Sequence, residues 1–459
     1  MKRLGLIAVL LLGCSSDDGN HSPLGEVPAE PQRSGDPDLG YTALVNEGYV
    51  GCGVPYEAYE QAFPPARDYE LIPGREGRNE TLPFYFTSFE TDSGVEVVTP
   101  NCLQCHAEYL NGELVMGLGS HTVDYTFDSA PQVILSGALV SDGPAKAEWE
   151  RWKDRMVTIA PYTIARTIGV NPADNLAAAL FAHRDQETLA WSDEPLLEMP
   201  PPIVAPVDVP PLWHMKKKNA LYYTAAGRGD HARIIMTAST LCVDSVEQAE
   251  AIDEYFPDVY AYLKTIEAPA YPWDIDEDLA EEGRLLFEAT CTECHGTYGA
   301  NSEYPNLVVG IDEVGTDETM AVGASQFADR YVEWFNGSFY GEMGRLAPAR
   351  GYIAPPLDGI WASAPYFHNG SVPTLYLVID ADSRPTYFAR SYDTSSYDTV
   401  NLGWPYRVLD SGQDDPPYGV PMNEIYDTTK LGYSSKGHTF GSRLRPEQRQ
   451  ALLEYLKTL

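Results

Sequence analysis

The sequence feature that most constrains this chain is the pattern C-x-x-C-H, which occurs at residues 102–106 and again at residues 291–295. Two thiols at this spacing attach haem covalently, and the histidine that follows them becomes an axial ligand of the iron. The pattern therefore predicts two c-type haems. Their attachment residues are Cys102, Cys105 and His106 for the first haem and Cys291, Cys294 and His295 for the second. The alternative is a structural zinc site built from the two cysteine pairs.

The N-terminus predicts export and attachment to a membrane. An apolar run at residues 4–12 follows two basic residues and is too short to span a bilayer. Cys14 comes directly after Leu-Leu-Gly, which resembles the lipobox of bacterial lipoproteins, whereas ordinary cleavage nearby is the alternative. We therefore expect residues 1–14 to be a lipoprotein signal peptide and residues 15–40, rich in Ser, Asp, Gly and Pro, to be a flexible tether. The expected location is the periplasm or cell envelope, lipid-anchored at the outer membrane.

The net charge limits the kinds of partner, and the remaining cysteines predict a disulfide. The net charge is −36 with a pI near 4.4, which excludes nucleic acid as a partner. An acidic surface suits docking of a basic redox protein, although solubility alone accounts for it equally well. Cys52 and Cys242 are left over after haem and lipid attachment, and in an oxidising compartment they are candidates for a disulfide.

Internal repeats divide the chain into two haem domains. The string Tyr-Leu-Lys-Thr occurs at residues 262–265 and at 455–458, and Pro-Pro-Leu occurs at 210–212 and at 355–357. The proline-rich join at residues 268–272 stops the preceding helix. We expect an N-terminal c-haem domain over residues 41–267 and a C-terminal c-haem domain over residues 268–459.

Apolar spacing and capping residues predict helices in both domains. The clearest lie at residues 145–155, 175–182 and 246–266, the last capped by Ser245. A further helix after Asp276 carries Gly283 at a close crossing with the last helix, which begins at Pro446. The predicted fold is mostly α, with two cytochrome c-like haem domains in tandem and long irregular loops.

The run APPLDGIWASAPYFHNGS at residues 354–371 resembles the signature of the dihaem cytochrome c peroxidase and MauG superfamily. Residues 426–428, followed by GHTFG at 437–441, are similar to the rubber-oxygenase (RoxA-like) branch of it. The resemblance implies a six-coordinate C-terminal haem that relays electrons and an N-terminal haem with a position open to peroxide or O₂. Asp382 stands where the peroxidases hold a methionine ligand, which is consistent with His438 as the second ligand of the C-terminal iron. The chain is much shorter than the secreted rubber oxygenases.

Several other residues are candidates for roles near the haems. His121, fifteen residues after His106, is a candidate for ligation or for acid–base chemistry, and a polar turn is the alternative. Trp213 and Tyr222 lie in a loop that the repeat brings to face this haem. His368 is expected to hold its loop rather than to bind iron. The lysines at 216–218 are either part of that loop or a solvated face, and Arg228 and Arg233 are candidates to pair with haem propionates.

The sequence therefore predicts a haem-dependent oxidoreductase of the peroxidase or oxygenase type, which activates peroxide or O₂ at the N-terminal haem. Its expected partners are a small redox protein or electron donor and O₂ or H₂O₂, with the membrane reached only through the lipid anchor. The alternatives are a dihaem electron carrier without substrate chemistry and a MauG-like oxidation of a partner protein.

Overall fold

The computed structural model describes residues 24–326 and 328–459. The expected signal peptide, Cys14 and the first part of the expected tether lie outside this range. The fold is 38% helical and 13% strand, with the strands in several small sheets, so the prediction of a mostly α fold is wrong. The strands are two to five residues long, for example Gly25–Glu26 and Phe86–Glu90. Segments this short and often far apart in sequence pair through tertiary packing, which local alternation of apolar residues does not reveal.

Sixteen α-helices are described, together with short 3₁₀ turns between them. In chain order they are α1 Pro37–Asn46, α2 Tyr56–Ala62, α3 Leu103–His106, α4 Ala130–Ser136, α5 Pro144–Ile159, α6 Ala173–Ala182, α7 His231–Ile235, α8 Val246–Asp253, α9 Phe256–Leu263, α10 Glu277–Thr290, α11 Thr292–His295, α12 Ile311–Val314, α13 Thr319–Gln326, α14 Asp329–Gly337, α15 Leu375–Ile379 and α16 Pro446–Leu456.

Thirteen strands are described in the same range. They are β1 Gly25–Glu26, β2 Val54–Pro55, β3 Phe86–Glu90, β4 Glu96–Pro100, β5 Ala107–Leu110, β6 Glu113–Met116, β7 Gly227–Gly229, β8 Leu307–Gly310, β9 Gly344–Leu346, β10 Gly351–Ile353, β11 Tyr387–Arg390, β12 Tyr406–Val408 and β13 Ile425–Asp427. Their orders are β1-β8-β10, β12-β11-β13, β2-β4-β3, β5-β6 and β7-β9, and every pairing is antiparallel.

Each half of the chain contains a crossing of its first and last helices. In the second half α10 crosses α16, and a Cβ placed on Gly283 would lie 1.9 Å from the carbonyl oxygen of Ala451. In the first half α1 crosses α9, and a Cβ on Gly40 would lie 1.9 Å from the carbonyl oxygen of Asp258. A glycine thus permits each helix pair to approach closely, as expected for Gly283. The Asp276 carboxylate caps α10 by accepting from the Leu279 amide at 3.0 Å, also as expected.

The two proline-leucine loops repeat in conformation as well as in sequence. Leu221 forms an isolated antiparallel bridge with Gly227, and Tyr366 forms one with Val372. The residue that follows Leu221 and the residue that follows Tyr366 both have a positive φ, which is 67° at Tyr222 and 69° at Phe367. Because such angles are uncommon for side chains of this size, their recurrence indicates that the two loops have the same backbone path.

The helices predicted in the first half are present, with one difference. The predicted helices at 145–155 and 175–182 correspond to α5 and α6. The predicted helix at 246–266 is instead two helices, α8 and α9. Pro257 lies in the first turn of α9, where its missing N–H costs nothing, so the chain restarts a helix there. Ser245 caps α8 as expected by accepting from the Gln248 amide at 3.2 Å.

Residues 24–36, expected to be part of the tether, pack along the folded chain. Strand β1 pairs with β8 in the second half, while the Arg33 guanidinium binds Asp230 and Asp253 in the first half at 2.9 and 2.7 Å. The disulfide predicted between Cys52 and Cys242 is confirmed. Within the described residues, no helix combines the length and the apolar character that crossing a bilayer requires.

Candidate haem-binding sites

The second C-x-x-C-H motif lies where α10 ends and the one-turn helix α11 begins. Cys291 is the last capping residue of α10, and His295 ends α11. The Nδ1 atom of His295 lies 2.8 Å from the carbonyl oxygen of Pro355 and donates to it. The proton of a neutral imidazole is then on Nδ1, so Nε2 keeps the lone pair that an iron ligand requires.

The ring of His438 faces the ring of His295. Their centroids are 6.2 Å apart and the rings are inclined by 63°. Two imidazoles bound to one metal at roughly 2 Å each have centroids about 6 Å apart, so this separation fits an iron between them. Burial lowers the pKa of His438 to about 3, with the positive charges of His295 and Arg384 adding to the effect. His438 is therefore neutral at physiological pH, as a ligand must be.

The loop that carries His438 is fixed by Arg384. The Arg384 guanidinium donates to the carbonyls of Ser435 and Gly437 at 2.7 and 2.6 Å and to that of His438 at 3.3 Å. His438 has a φ of 44°, in the left-handed region that side chains seldom adopt. Asp382, where a methionine would stand in the peroxidases, is exposed in a separate 3₁₀ turn.

The first C-x-x-C-H motif lies on α3, between strands β4 and β5. The amide of Cys102 donates to the Tyr49 hydroxyl at 2.8 Å, and the Asn171 side chain donates to the Cys105 sulfur at 3.3 Å. Burial lowers the pKa of His106 to about 4, and the nearby carbonyl of Pro210 opposes this effect. His106 is thus also neutral, and Pro210 is the repeat counterpart of the Pro355 that orients His295.

Among the residues that the structure describes, no aromatic or imidazole ring contacts His106 in the way His438 contacts His295. Tyr222 occupies the loop position of Phe367, whose ring lies 5.9 Å from His438. The Tyr222 residue is 41% exposed, yet burial of its hydroxyl raises the pKa to about 12.

His121 is buried in the loop that follows the first motif. Its Nδ1 lies 3.0 Å from the Arg390 guanidinium, and its ring packs 4.2 Å from that of Trp404. Arginine only donates, so Nδ1 accepts and the proton of the neutral ring is on Nε2. This Nε2 is buried without a partner. An Nε2 that carries a proton lacks the lone pair that iron requires, so in this tautomer His121 is a hydrogen-bond donor and not a ligand.

Trp213 lies between the two motifs. Its indole Nε1 donates to the carbonyl oxygen of Asp358 at 2.8 Å, and the side chain is fully buried. Trp213 is three residues after Pro210, and Asp358 is three residues after Pro355. The tryptophan thus joins the loop that follows Pro210 to the loop that follows Pro355.

The other candidates have protein partners. Lys217 binds the Asp358 carboxylate at 2.7 Å, and Arg233 binds that of Asp253 at 2.7 Å. Lys218 lies deeper than a solvated face, and burial lowers its pKa to about 8. The His368 ring stacks on Tyr352 at 4.1 Å, which fits the expected role of holding its loop.

Sequence reasoning missed the two arginines that position the candidate histidines. Arg390 is buried and lies 269 residues from His121, and Arg384 lies more than 50 residues from the carbonyls it binds. No local pattern marks either one. The two prolines whose carbonyls lie next to the motif histidines could have been found from the sequence, because both belong to the repeated Pro-Pro-Leu string.

The zinc alternative lacks a ligand set. Within residues 24–326 and 328–459, no three His, Cys, Asp or Glu side chains converge as a metal-binding group. Both cysteine pairs lie in this range and belong to different halves of the fold.

Comparison with known proteins agrees with a haem site in the second half. Residues 351–389 match the family model described as RoxA-like, cytochrome c-like. The uncharacterised protein y4iM of Sinorhizobium fredii (strain NBRC 101917 / NGR234) is 28% identical over 324 residues, which cover 62% of this chain and 71% of that protein. Protein y4iJ of the same organism, also uncharacterised, is 28% identical over 292 residues, covering 48% of this chain and 46% of y4iJ.

The family match indicates a c-type haem with iron and a haem-binding redox function. It contains Pro355, which orients His295, and Arg384, which fixes the His438 loop. A cytochrome c-like segment is indicated only at residues 351–389, so the expected pair of cytochrome c-like domains is corrected to one such segment within a mixed fold. That segment is similar to the RoxA-like cytochromes.

Proposed function

We propose that this chain is a dihaem c-type cytochrome and an oxidoreductase, in which peroxide or O₂ reacts at the first haem site and the second site relays electrons. The observation that carries the proposal is the difference between the two motif histidines. His295 faces the His438 ring at 6.2 Å, whereas no ring faces His106 among the described residues. One site is built to be closed and the other to accept a small ligand.

The closed site suits electron relay. His295 and His438 are the residues that would hold the iron of a bound haem, and Arg384 keeps His438 in place. Such a haem would supply electron transfer without exchange of a ligand. Two imidazoles give a lower potential than an imidazole with a methionine, since a thioether raises the potential. Electrons at this potential are available to the other site.

Trp213 connects the two sites. Its indole bonds to Asp358, and each of these residues is three positions after the proline beneath a motif histidine. The connection runs through packed protein, because Trp213 and its neighbour Leu212 are buried. This supports passage of electrons from the second site to the first.

At the open site a bound haem would supply the one-electron chemistry with peroxide or O₂, and the chain would supply orientation and a hydrogen-bond donor. His106 would be the proximal ligand. His121 holds a proton on Nε2, and Arg390 fixes the ring so that this proton stays there. A positioned N–H of this kind donates a hydrogen bond that stabilises charge on a leaving oxygen, and such a donor typically contributes about 10²–10³-fold to the rate.

The test is the number of haems and the ligands they accept. Denatured intact mass is expected to exceed that of the polypeptide by two haem groups. Cyanide on the oxidised protein and CO on the reduced protein are each expected to bind with a stoichiometry of one. A protein with only one covalent haem would overturn the dihaem proposal. If neither cyanide nor CO binds, the proposed enzymatic activity is overturned and electron transfer is the function that remains.

We further propose that the protein is held in the cell envelope by acylated Cys14 and takes electrons from a small redox protein. The leader sequence and the net charge of −36 support this. Cys14→Ala is expected to move the protein from the membrane fraction to the soluble periplasm. A wild type that is already soluble after lysis would contradict the anchor.

A further inference from the structure

A series of aromatic rings leads from the first haem site to the surface of the fold. The Trp404 ring lies 4.2 Å from His121 and 5.8 Å from Tyr397. The Tyr397 ring in turn stacks on Trp273 at 5.3 Å with an inclination of only 9°. Every adjacent pair in this series is in ring contact.

The inner end of the series is attached to the first motif. The amide of Ser120 donates to the carbonyl of Cys105 at 2.8 Å, which places the following residue, His121, beside a haem-attachment cysteine. Both His121 and Trp404 are fully buried. The first two rings are therefore shielded from water and adjoin the site at which we propose that peroxide reacts.

The outer end lies in the segment that joins the two halves of the chain. Trp273 is half-buried, and its ring is 5.2 Å from that of half-buried Tyr271. A second branch reaches the same place, because Trp361 lies 5.8 Å from Tyr397 and 5.2 Å from Tyr271. Trp273 is thus the indole of the main branch that a molecule in solution can touch.

The composition of the series favours electron transfer over packing alone. Indole and phenol rings lose an electron far more readily than phenylalanine or leucine, which would fill the same volume. The polar atoms are held in place, since Trp404 Nε1 donates to the Ala364 carbonyl at 2.9 Å and Tyr397 donates to the Trp361 carbonyl. Fixed rings in contact need little reorganisation when an electron passes between them.

We propose that this series carries electrons from a small aromatic donor bound at Trp273 to the first haem site, and that the protein is thereby a peroxidase of phenols or anilines. The inference rests on the proposed reaction of peroxide at that site. For a phenol the balance is H₂O₂ + 2 ArOH → 2 H₂O + 2 ArO•. Each phenol gives one electron to Trp273 and one proton to solvent. Peroxide takes up two electrons and two protons, and its O–O bond breaks.

The surroundings of Trp273 select the charge of the donor. Asp274 and Asp276 follow it directly, and both are exposed. Carboxylates so close in the chain repel anions and tolerate neutral molecules. Phenols and anilines are neutral at physiological pH and meet this condition, and their flat rings stack on an indole.

The experiment uses the dihaem protein, hydrogen peroxide and a methoxyphenol. Without the phenol, peroxide is expected to leave oxygen added at Trp273, which peptide mapping by mass spectrometry detects. Trp404→Phe is expected to reduce both this modification and the rate of phenol oxidation by roughly ten-fold or more, with cyanide binding unchanged. Tyr397→Phe, which keeps the ring and loses only the hydroxyl, is the second variant and is expected to act in the same direction.

The matched control is Trp334→Phe. Trp334 is as buried as Trp404, donates its Nε1 to the Arg184 carbonyl at 2.8 Å and stacks on Phe181, outside the series. It is expected to leave both readouts as in the wild type. Equal modification of Trp273 in all variants would overturn the route. A haem spectrum that responds to peroxide without modification of Trp273 would overturn the route alone, whereas no spectral response would overturn the proposed function as well.

Discussion

His438 lies in a strained conformation that its surroundings maintain. Its φ of 44° follows a φ of 75° at Gly437, where any Cβ would lie 2.1 Å from the backbone of Gly315. A left-handed non-glycine residue costs about 1–3 kcal/mol and persists only where other contacts enforce it. Arg384 supplies these contacts, because it donates hydrogen bonds to the carbonyls of Ser435, Gly437 and His438.

Arg384→Gln should therefore release His438 without touching it. A glutamine side chain cannot reach all three carbonyls, and the unsatisfied groups would cost about 1–3 kcal/mol. We expect a high-spin fraction at the second haem, visible in the absorption spectrum, and intact covalent attachment. Arg443→Gln is the control, because Arg443 is exposed. A fully low-spin Arg384→Gln protein would show that the loop does not depend on this arginine.

His121 provides the second prediction at the scale of single residues. His121→Leu should slow the reaction of the first haem with peroxide by about 10²–10³-fold, because the hydrogen bond from Nε2 is lost. The spectrum of the oxidised protein should not change, since the residue is not a ligand. Stopped-flow absorption measures both. A shift of the first haem from low to high spin in this variant would mean that His121 binds iron after all.

The sequence predicts the attachment residues because their spacing is local, and it predicts His438 through a resemblance to known cytochromes. It does not reveal Arg384 or Arg390. Each acts on a segment far away in the chain, and nothing next to either arginine distinguishes it from a surface residue. The same holds for Trp404, whose partners His121 and Tyr397 meet it only in the folded state.

At the scale of elements, the terminal helix pairs hold each half together. Gly283→Ala should destabilise the protein by about 1–3 kcal/mol or more, because the new methyl group would meet the Ala451 carbonyl and force α10 from α16. Gly323→Ala is the matched control in another helix, where a Cβ meets no atom within 4 Å in the part of the chain that the structure describes. That change should be neutral or stabilising by about 0.5–1 kcal/mol.

Denaturant unfolding of the haem-loaded protein, followed by haem absorption, measures both variants. Equal stability of Gly283→Ala and wild type would show that the helices do not depend on this close approach. The result also bears on the first half, where Gly40 makes the same approach to the backbone of α9.

Some elements follow from the sequence and others do not. Helices α10 and α16 follow from Asp276, Pro446 and the apolar spacing between them. Helix α1 does not, because Pro37 and Asp38 extend the polar composition of the preceding segment and the helix is stabilised by packing on α9. The small sheets are missed for the same reason, since strands of two to five residues acquire their partners only in the folded chain.

At the scale of the molecule, residues 24–36 and one disulfide tie distant parts together. Arg33 pairs with Asp230 and Asp253, and β1 joins the sheet of the second half. Cys52 and Cys242 are 190 residues apart. The sequence predicts this disulfide by elimination of the other cysteines. It does not predict the contacts of residues 24–36, because their polar composition is typical of a flexible segment.

Replacing both Cys52 and Cys242 by serine should lower the free energy of unfolding by about 2–5 kcal/mol, since the disulfide restricts the unfolded chain. Both haems should remain attached, because neither cysteine belongs to a haem motif. Denaturant unfolding measures the change, and the wild type treated with a reductant is the control. Two free thiols in the unreduced, denatured wild type would contradict the pairing.

The central claim is that the second haem is closed by His438 while the first is open. Low-temperature EPR of the oxidised protein tests it most directly, with and without cyanide and in His438→Ala. We predict one low-spin signal from two imidazoles that cyanide leaves unchanged and a second signal that cyanide converts. His438→Ala should turn the cyanide-insensitive signal, which comes from the second haem, high-spin. It should leave the cyanide-sensitive signal of the first haem as it was. Two low-spin signals that neither cyanide nor His438→Ala alters would contradict the account.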